Sequence, residues 1–205
     1  HKAVLRLMHK LGIRSVARKR KIYKQLSSTE GTYQYSNLLD RNFTATRPNQ
    51  KWVTDVTYIH TQQGWAYLST IKDLFDGFIV AHQLGRENSV GLVTNTIRLA
   101  QRKEKIVAGL ILHSDQGFQY RTHPYRLLTS TAGITPSMSR RGNCWDNAPM
   151  ENFFGHLKEE ALRQFKNPSF HEAQQIIDDY IYFFNFERIQ LKTRLTPYQL
   201  RCQST

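Results

Sequence analysis

Three closely linked strands constrain this chain most. "KWVTDVTYIHT" (51–61), "GWAYLSTIKDLF" (64–75) and "FIVAHQL" (78–84) are rich in β-branched and aromatic residues, a strand composition. Two residues separate each run from the next, and the second gap is "DG", a hairpin signal. Connections this short cannot cross over to make parallel neighbours, so the three runs predict an antiparallel meander. The first run carries a carboxylate, Asp55, amid apolar and β-branched neighbours. Such a group is costly to desolvate unless it is paired, binds a metal or faces water from an edge strand.

Downstream, strands and helices alternate. "ENSVGLVTNTIRLAQRK" (87–103) puts Val90, Val93, Ile97 and Ala100 on one helical face, with Asn88 or Ser89 as cap. "GLILHS" (109–114) is a fourth strand, and "THPYRLLTSTA" (122–132) is a helix with Pro124 in its first turn. "GITPSMS" (133–139) is a short strand that Pro136 assigns to an edge. A loop, "RRGNCW", leads to one long helix over 146–165, capped by Asn147. A further helix over 169–188 opens with a capping box, Ser169 to Glu172, and a last one starts at Thr196 and Pro197. The order β-β-β-α-β-α-β-α-α predicts an α/β fold. Residues 51–166 read as the core and 167–205 as a C-terminal helical extension.

Composition narrows the function classes. No apolar run approaches the ~20 residues of a membrane span, and no secretory pattern is present. Cys144 and Cys202 lie far apart and form no C-x-x-C, which points to a reducing, cytoplasmic setting without structural zinc. The net charge is +13. Residues 1–24 hold nine Lys or Arg, among them Arg18, Lys19, Arg20 and Lys21, and no acid. Residues 1–30 therefore read as a basic arm, helical at its start, and 31–50 as a polar linker. Such an arm suits a phosphate backbone. A solvated helix with mobile charges is the plainer alternative.

Two more acids join Asp55. Asp115 stands where the fourth strand runs out into "SDQGFQY", and Glu151 stands in the first turn of the long helix. Each has an ordinary explanation, as a turn cap and as a favourable charge at a helix N-terminus. Together they mean more. In this strand order the first and fourth strands are commonly neighbours, which sets Asp55 beside Asp115. A helix packed on the sheet can then supply Glu151. Like charges held close repel and call for a cation. Hard oxygen ligands select Mg²⁺ or Mn²⁺, and a pair of ions suits in-line phosphoryl transfer.

The spacing and the flanking blocks resemble a known family. Thirty-five residues separate Asp115 from Glu151. With Asp55 upstream, this is similar to the D, D-x35-E triad of retroviral integrases and insertion-sequence transposases. "RPNQKWVTDVTYI", "LHSDQGFQY", "SMSRRGNCWDNAPMENFFGHLKEE" and "YIYFFNFERIQLKTRLTPYQL" resemble successive blocks of one bacterial transposase group, over roughly residues 30–203. The resemblance implies a ribonuclease H-like fold with a five-stranded mixed sheet. It also implies Asp55, Asp115 and Glu151 as ligands of two Mg²⁺ ions, which Mn²⁺ can replace. The activity implied is 3′-end DNA cleavage and strand transfer. Implied partners are DNA, further copies of the chain in a dimer or larger assembly, and an upstream helix-turn-helix region or protein. The setting would be bacterial and nucleoid-associated.

Other residues are candidates for DNA contact, each with a plainer alternative. Lys158 follows Glu151 by seven residues, on the same helix face, or is a surface lysine paired with an acid. Arg140 and Arg141 can clamp a strand end or simply be surface arginines. Gln119 can reach substrate, while Tyr120 reads as structural. His113 is expected to be packed and hydrogen-bonded rather than a base, Trp145 to be a packing anchor, and Asp73, Asp76 and Asp146 to be turn and cap residues. The aromatics around Tyr180–Phe186 divide between core and a protomer interface. Two rival readings are a nuclease that only hydrolyses and a DNA-binding remnant that does not cut.

Overall fold

The computed structural model describes residues 2–13 and 33–203. Arg18, Lys19, Arg20 and Lys21 lie outside the described residues. The basic arm begins as a helix, α1 (Lys2–Lys10), with no buried residue.

The meander forms as β1 (Lys51–Thr61), β2 (Gly64–Asp73) and β3 (Ile79–Gly85), antiparallel throughout. Gly77 turns the second hairpin at φ 81°, which L side chains rarely adopt. The helix α2 (Val90–Lys103), capped by the Ser89 side chain, crosses over to β4 (Ile111–Ser114). Helix α3 (His123–Thr131) crosses to β5 (Thr135–Met138). Both β4 and β5 are parallel to β1, giving a mixed sheet in the order β3-β2-β1-β4-β5. Pro136 does sit on an edge strand, where its missing N–H costs no ladder bond.

Alternation along β1 separates two cores. Trp52 packs with Ile71, Val93, Ile97 and Tyr125 beneath α2 and α3. Val53 and Ile59 face the other way, onto Met150, Phe153 and Leu157 and onto Ala173, Ile177, Ile181 and Phe184. These belong to α4 (Ala148–His156), the turn after it and α5 (Phe170–Phe186). The Ser169 capping box forms as expected, as does a second one at Thr196 opening α6 (Pro197–Cys202).

The long helix expected over 146–165 is interrupted. It is α-helical only to His156, widens to a π turn at Leu157–Ala161 and tightens to a 3-10 turn at Leu162–Gln164. Gly155 weakens the helix just before the change. The wide turn keeps Leu157 fully buried while Lys158 reaches Thr57 in β1. It also lets Glu160 meet Tyr180 and Arg188. Tertiary contacts thus outweigh helical continuity.

Residues 33–50 have no helix or strand, in keeping with their polar sequence, but they are pinned to the core. Leu39 is buried, Leu38 N–H donates to Ser137 Oγ, and Asn49 N–H donates to Asp73. Trp145, expected as a packing anchor, is 69% exposed. The turn carrying it is held by the neighbouring Asp146 instead. Tyr180 and Phe184 are core, whereas Tyr182, Phe183 and Phe186 are exposed.

Candidate active site

Asp55 lies on the part of β1 that outruns β4. The β1–β4 ladder pairs Val53 with His113. Carried two residues further, the same register sets Asp55 opposite Asp115 on one face of the sheet. Asp115 has just left β4, and its Oδ1 accepts the Gly117 N–H at 2.8 Å. The turn is close-fitting, since a Cβ on Gly117 would come within 2.9 Å of Asp115 Oδ1 and 2.8 Å of Gln119 Oε1, so that one of those side chains would have to shift. Helix α4 packs across the same face and carries Glu151 in its first turn.

The three acids share one electrostatic environment. Burial holds the Asp55 carboxyl well above the usual carboxylate range, and the charge of Asp115 and then that of Glu151 raise it further. The Val56 N–H and the Lys158 ammonium pull the other way. Asp115 and Glu151 are also raised, each by burial. Tyr120, fully buried, feels both aspartates, and its phenol is held well above its usual range by burial and by their charges. Among the described residues, no three His, Cys, Asp or Glu side chains are set to hold a metal ion. Glu151 is exposed and has no hydrogen-bond or ion-pair partner among the described residues. Asp55 and Asp115 supply mutually repelling hard oxygen donors, a donor set that fits a divalent cation.

Supporting groups surround the acids. Asp55 Oδ1 accepts the Val56 N–H at 2.7 Å, and its Oδ2 accepts the Asn147 Nδ2 at 3.0 Å. Lys158 Nζ donates to Thr57 Oγ1, one step along the same face of β1. His113 is fully buried between the Ser137 and Ser139 hydroxyls, and burial pushes it down to about 4 against the pull of Asp146. It is a neutral, packed histidine, as expected.

The expected DNA-contact residues differ in placement. Gln119 is buried and donates to Asn88 Oδ1. Arg140 uses its Nε and Nη2 on Asp146, with Asp40 at 3.2 Å. Arg141 is exposed beside Gly142 in the loop before α4. Past Lys158, an open cleft of about 570 Å³ runs between the end of β1 and the 157–168 segment. Tyr58, Trp65, Arg163 and Phe165 line it.

Sequence reasoning missed two residues. Asn147 was expected to cap α4, but its side chain makes no cap bond and goes to Asp55. Asp146, expected in a turn or cap, is buried and accepts from Asn37, Arg41 and Arg140. Nothing in "WDNAPME" separates these roles from ordinary capping, because the partners lie outside it: Asp55, Asn37 and Arg41 more than 90 residues upstream, and Arg140 in the preceding loop.

This arrangement has counterparts among known proteins. Integrase core domain profiles match residues 45–144, which hold Asp55 and Asp115, and residues 151–205, which begin at Glu151. A transposase-like protein of Haemophilus influenzae is 41% identical over 205 residues, covering 100% of this chain and 94% of that protein. A putative transposase of insertion sequence element IS150 from Escherichia coli is 42% identical, covering 100% of this chain and 72% of that protein. A 31 kDa protein of insertion element IS600 from Shigella sonnei is 42% identical over 83% of this chain and 63% of its own length. Among solved structures, the HTLV-2 integrase catalytic core in complex with magnesium superposes with a TM-score of 0.60 at 17% identity. It covers 76% of this chain and 98% of that one. A simian T-cell lymphotropic virus intasome chain gives 0.68 at 14% identity, covering 85% and 60%. These likenesses show a shared ribonuclease H-like fold.

Proposed function

The chain belongs to the insertion-sequence transposases with an integrase core domain, and from that premise we propose that it cleaves DNA at the 3′ ends of an element and joins them to a second phosphodiester. The observation that carries this reading is the parallel β1–β4 register, Val53 opposite His113, which directs Asp55 and Asp115 to one face just beyond the ladder, with the charges of Asp115 and Glu151 both felt at Asp55.

In this reading Asp55, Asp115 and Glu151 hold Mg²⁺, or Mn²⁺ in its place, as two ions. Bound there, the cations would activate the attacking oxygen and stabilise the leaving oxygen of an in-line displacement. The protein's own share is placement. The sheet fixes two acids, and Glu151, exposed at the start of α4, is the one that must approach to complete the set. In the first step a water oxygen attacks the phosphorus at the element end. The bond between that phosphorus and the element's own 3′ oxygen breaks; the oxygen takes up a proton and becomes the free 3′-OH, while the flanking strand keeps the phosphate at its 5′ end. In the second step that hydroxyl loses its proton and attacks another phosphodiester, whose own 3′ oxygen leaves. No protein–DNA covalent bond forms, so no Ser, Tyr or Cys nucleophile is needed.

In this reading Lys158, bonded to Thr57 near Asp55, would meet a phosphate near the reacting bond, and the exposed Arg141 would touch DNA from the loop before α4. Arg140 and Gln119 belong to this reading as groups that shape the site, since their side chains are engaged with Asp146 and Asn88. The basic arm, including Arg18–Lys21, supplies phosphate contacts, and end recognition involves an upstream helix-turn-helix region or protein. The exposed Tyr182, Phe183 and Phe186 suit contact with another copy in a dimer or larger assembly on paired ends.

The test is Mg²⁺- or Mn²⁺-dependent cleavage and joining of labelled DNA carrying the element's ends, with Glu151→Gln run alongside. Joined product from the wild type, reduced roughly 10³-fold or more in the variant at equal DNA binding, is the expected result. Cleavage without joining would make the chain a hydrolytic nuclease. Binding with neither step would make it a DNA-binding module.

A further inference from the structure

Asn147 stands at the position that should cap α4, a place asparagine side chains favour. It makes no such bond. Its Nδ2 donates to Asp55 Oδ2, while its Oδ1 is buried with no hydrogen-bond partner among the described residues. With Val56 N–H on Oδ1 and Asn147 on Oδ2, both oxygens of Asp55 are gripped and the plane of its carboxylate is set.

What holds Asn147 is its neighbour. Asp146 is fully buried and accepts Asn37 Nδ2 at 3.0 Å, Arg41 Nε at 3.0 Å and the Arg140 backbone N–H at 3.0 Å. Arg41 also reaches Asn143 in the same turn. A second thread runs from the same upstream segment to the other aspartate. Leu38 N–H bonds Ser137 Oγ, and Ser137 Oγ bonds His113, two residues before Asp115. Residues 37–41 thus touch the supports of both strand-borne acids.

We propose that Asn147 is a positioning residue that orients Asp55, and that Asn37 and Arg41 set it through Asp146, so that the segment entering the core from upstream adjusts the active site. The inference rests on the reading of Asp55 as a site carboxylate. It gives the 33–50 segment a task beyond connection. A strain arriving from upstream reaches Asp55 through three side chains and one peptide bond.

The test uses the full chain with Asn147→Ala, Arg41→Ala, their combination, and Arg41→Lys. Steady-state joining on end DNA separates kcat from KM. Asn147→Ala is expected to lower kcat about 10–100-fold, the usual range for a residue supporting a metal ligand, with KM for DNA nearly unchanged. Arg41→Ala should lower kcat less, and Arg41→Lys should recover most of that loss. The double variant should be no slower than Asn147→Ala, because the two act in series. Calorimetric titration with Mn²⁺ needs no turnover, and Asn147→Ala should bind about 10-fold more weakly. Wild-type kcat and Mn²⁺ affinity in Asn147→Ala would overturn the proposal. So would kcat losses that multiply in the double variant, or a loss confined to KM, which would make these residues DNA contacts. Should Asn147→Ala not fold, Arg41→Ala and Asn147→Gln carry the same comparison. A wild type that binds Mn²⁺ but never cuts would sink the proposed function and leave the titration to decide the positioning role. A wild type that binds no Mn²⁺ would sink both.

Discussion

Replacing Asp146 with alanine should cost the fold about 2–4 kcal/mol. The carboxylate has no exposed surface and accepts five hydrogen bonds, from Asn37, Arg41 and three nitrogens of Arg140. Bonds to a charged group are worth ~1.5–3 kcal/mol each in mutational series. The sum is far smaller, because the arginine side chains are 48% and 49% exposed and rehydrate when released. The groups that stay covered, the Arg140 N–H above all, bear most of the loss. At roughly 2–4 °C per kcal/mol for a chain of this size, the melting temperature should fall by about 4–16 °C at pH 7. The pH dependence gives an independent check. Hydrogen bonds from Arg140 above all hold the Asp146 carboxyl far below the usual carboxylate range. A depressed folded value means stability that is present above the unfolded value of ~3.9 and is lost as pH falls toward the folded one. The gap between wild type and Asp146→Ala should therefore narrow steadily below about pH 4. Thermal melts of both proteins from pH 7 to pH 3 measure it. A gap under 1 °C at pH 7, or one that stays constant on acidification, would refute the reasoning.

Three further outcomes are expected. Lys72 lies among Phe153 and Phe184, and burial pushes its ammonium down to about 8. The folded form therefore gains stability as pH rises from about 8 toward the unfolded value near 10, so Lys72→Met should be more stable at pH 7 and flatten that rise in a pH series of denaturant melts. Arg201→Ala should cost about 3–5 kcal/mol at pH 7, since it strands buried Asp73 and Asp76. Burial and the Asp73 charge already push Asp76 up to about 6 even with Arg201 pulling it down, so without Arg201 the acid takes up its proton at higher pH and its share of the penalty should shrink as pH falls toward 6. DNA affinity should fall steeply with salt, and removing residues 1–24 should flatten the slope of log K against log salt by roughly 0.9 for each phosphate the arm had neutralised, read by fluorescence anisotropy.

The fold was legible where local signals agreed with tertiary ones. Short gaps fixed the meander, Pro136 fixed the edge, Ser169 and Thr196 fixed two helix starts, and Asn88 or Ser89 marked a third to within one residue. The α4 region was not, because Leu157, Lys158 and Glu160 each answer to a different distant partner, and those partners set the π turn. Of the candidate site, Asp115 and Glu151, each with an ordinary explanation, drew their meaning from Asp55 and from their spacing, whereas Asp55 stood out because a carboxylate inside a strand asks for a reason. Asn147 did not, since an asparagine ahead of a helix already has one. Trp145 was misjudged for a similar cause. Its size suggested burial, but the turn around it is held by the charge on Asp146 rather than by apolar packing.

Asp73 sits where the two flanks of the sequence meet. It takes the Asn49 N–H and the Trp52 indole from the approach to β1, and the Arg201 guanidinium from α6. Five residues of α5, including Ala173 and Ile177, also line the core that Val53 begins. Cutting the chain after residue 166 would thus open a hydrophobic face and orphan a buried acid at one stroke. Proteolysis should therefore leave no stable fragment that ends near residue 166. For anyone building fusions, residues 37–49 at one flank and α5 and α6 at the other are parts of the fold, not trimmable ends.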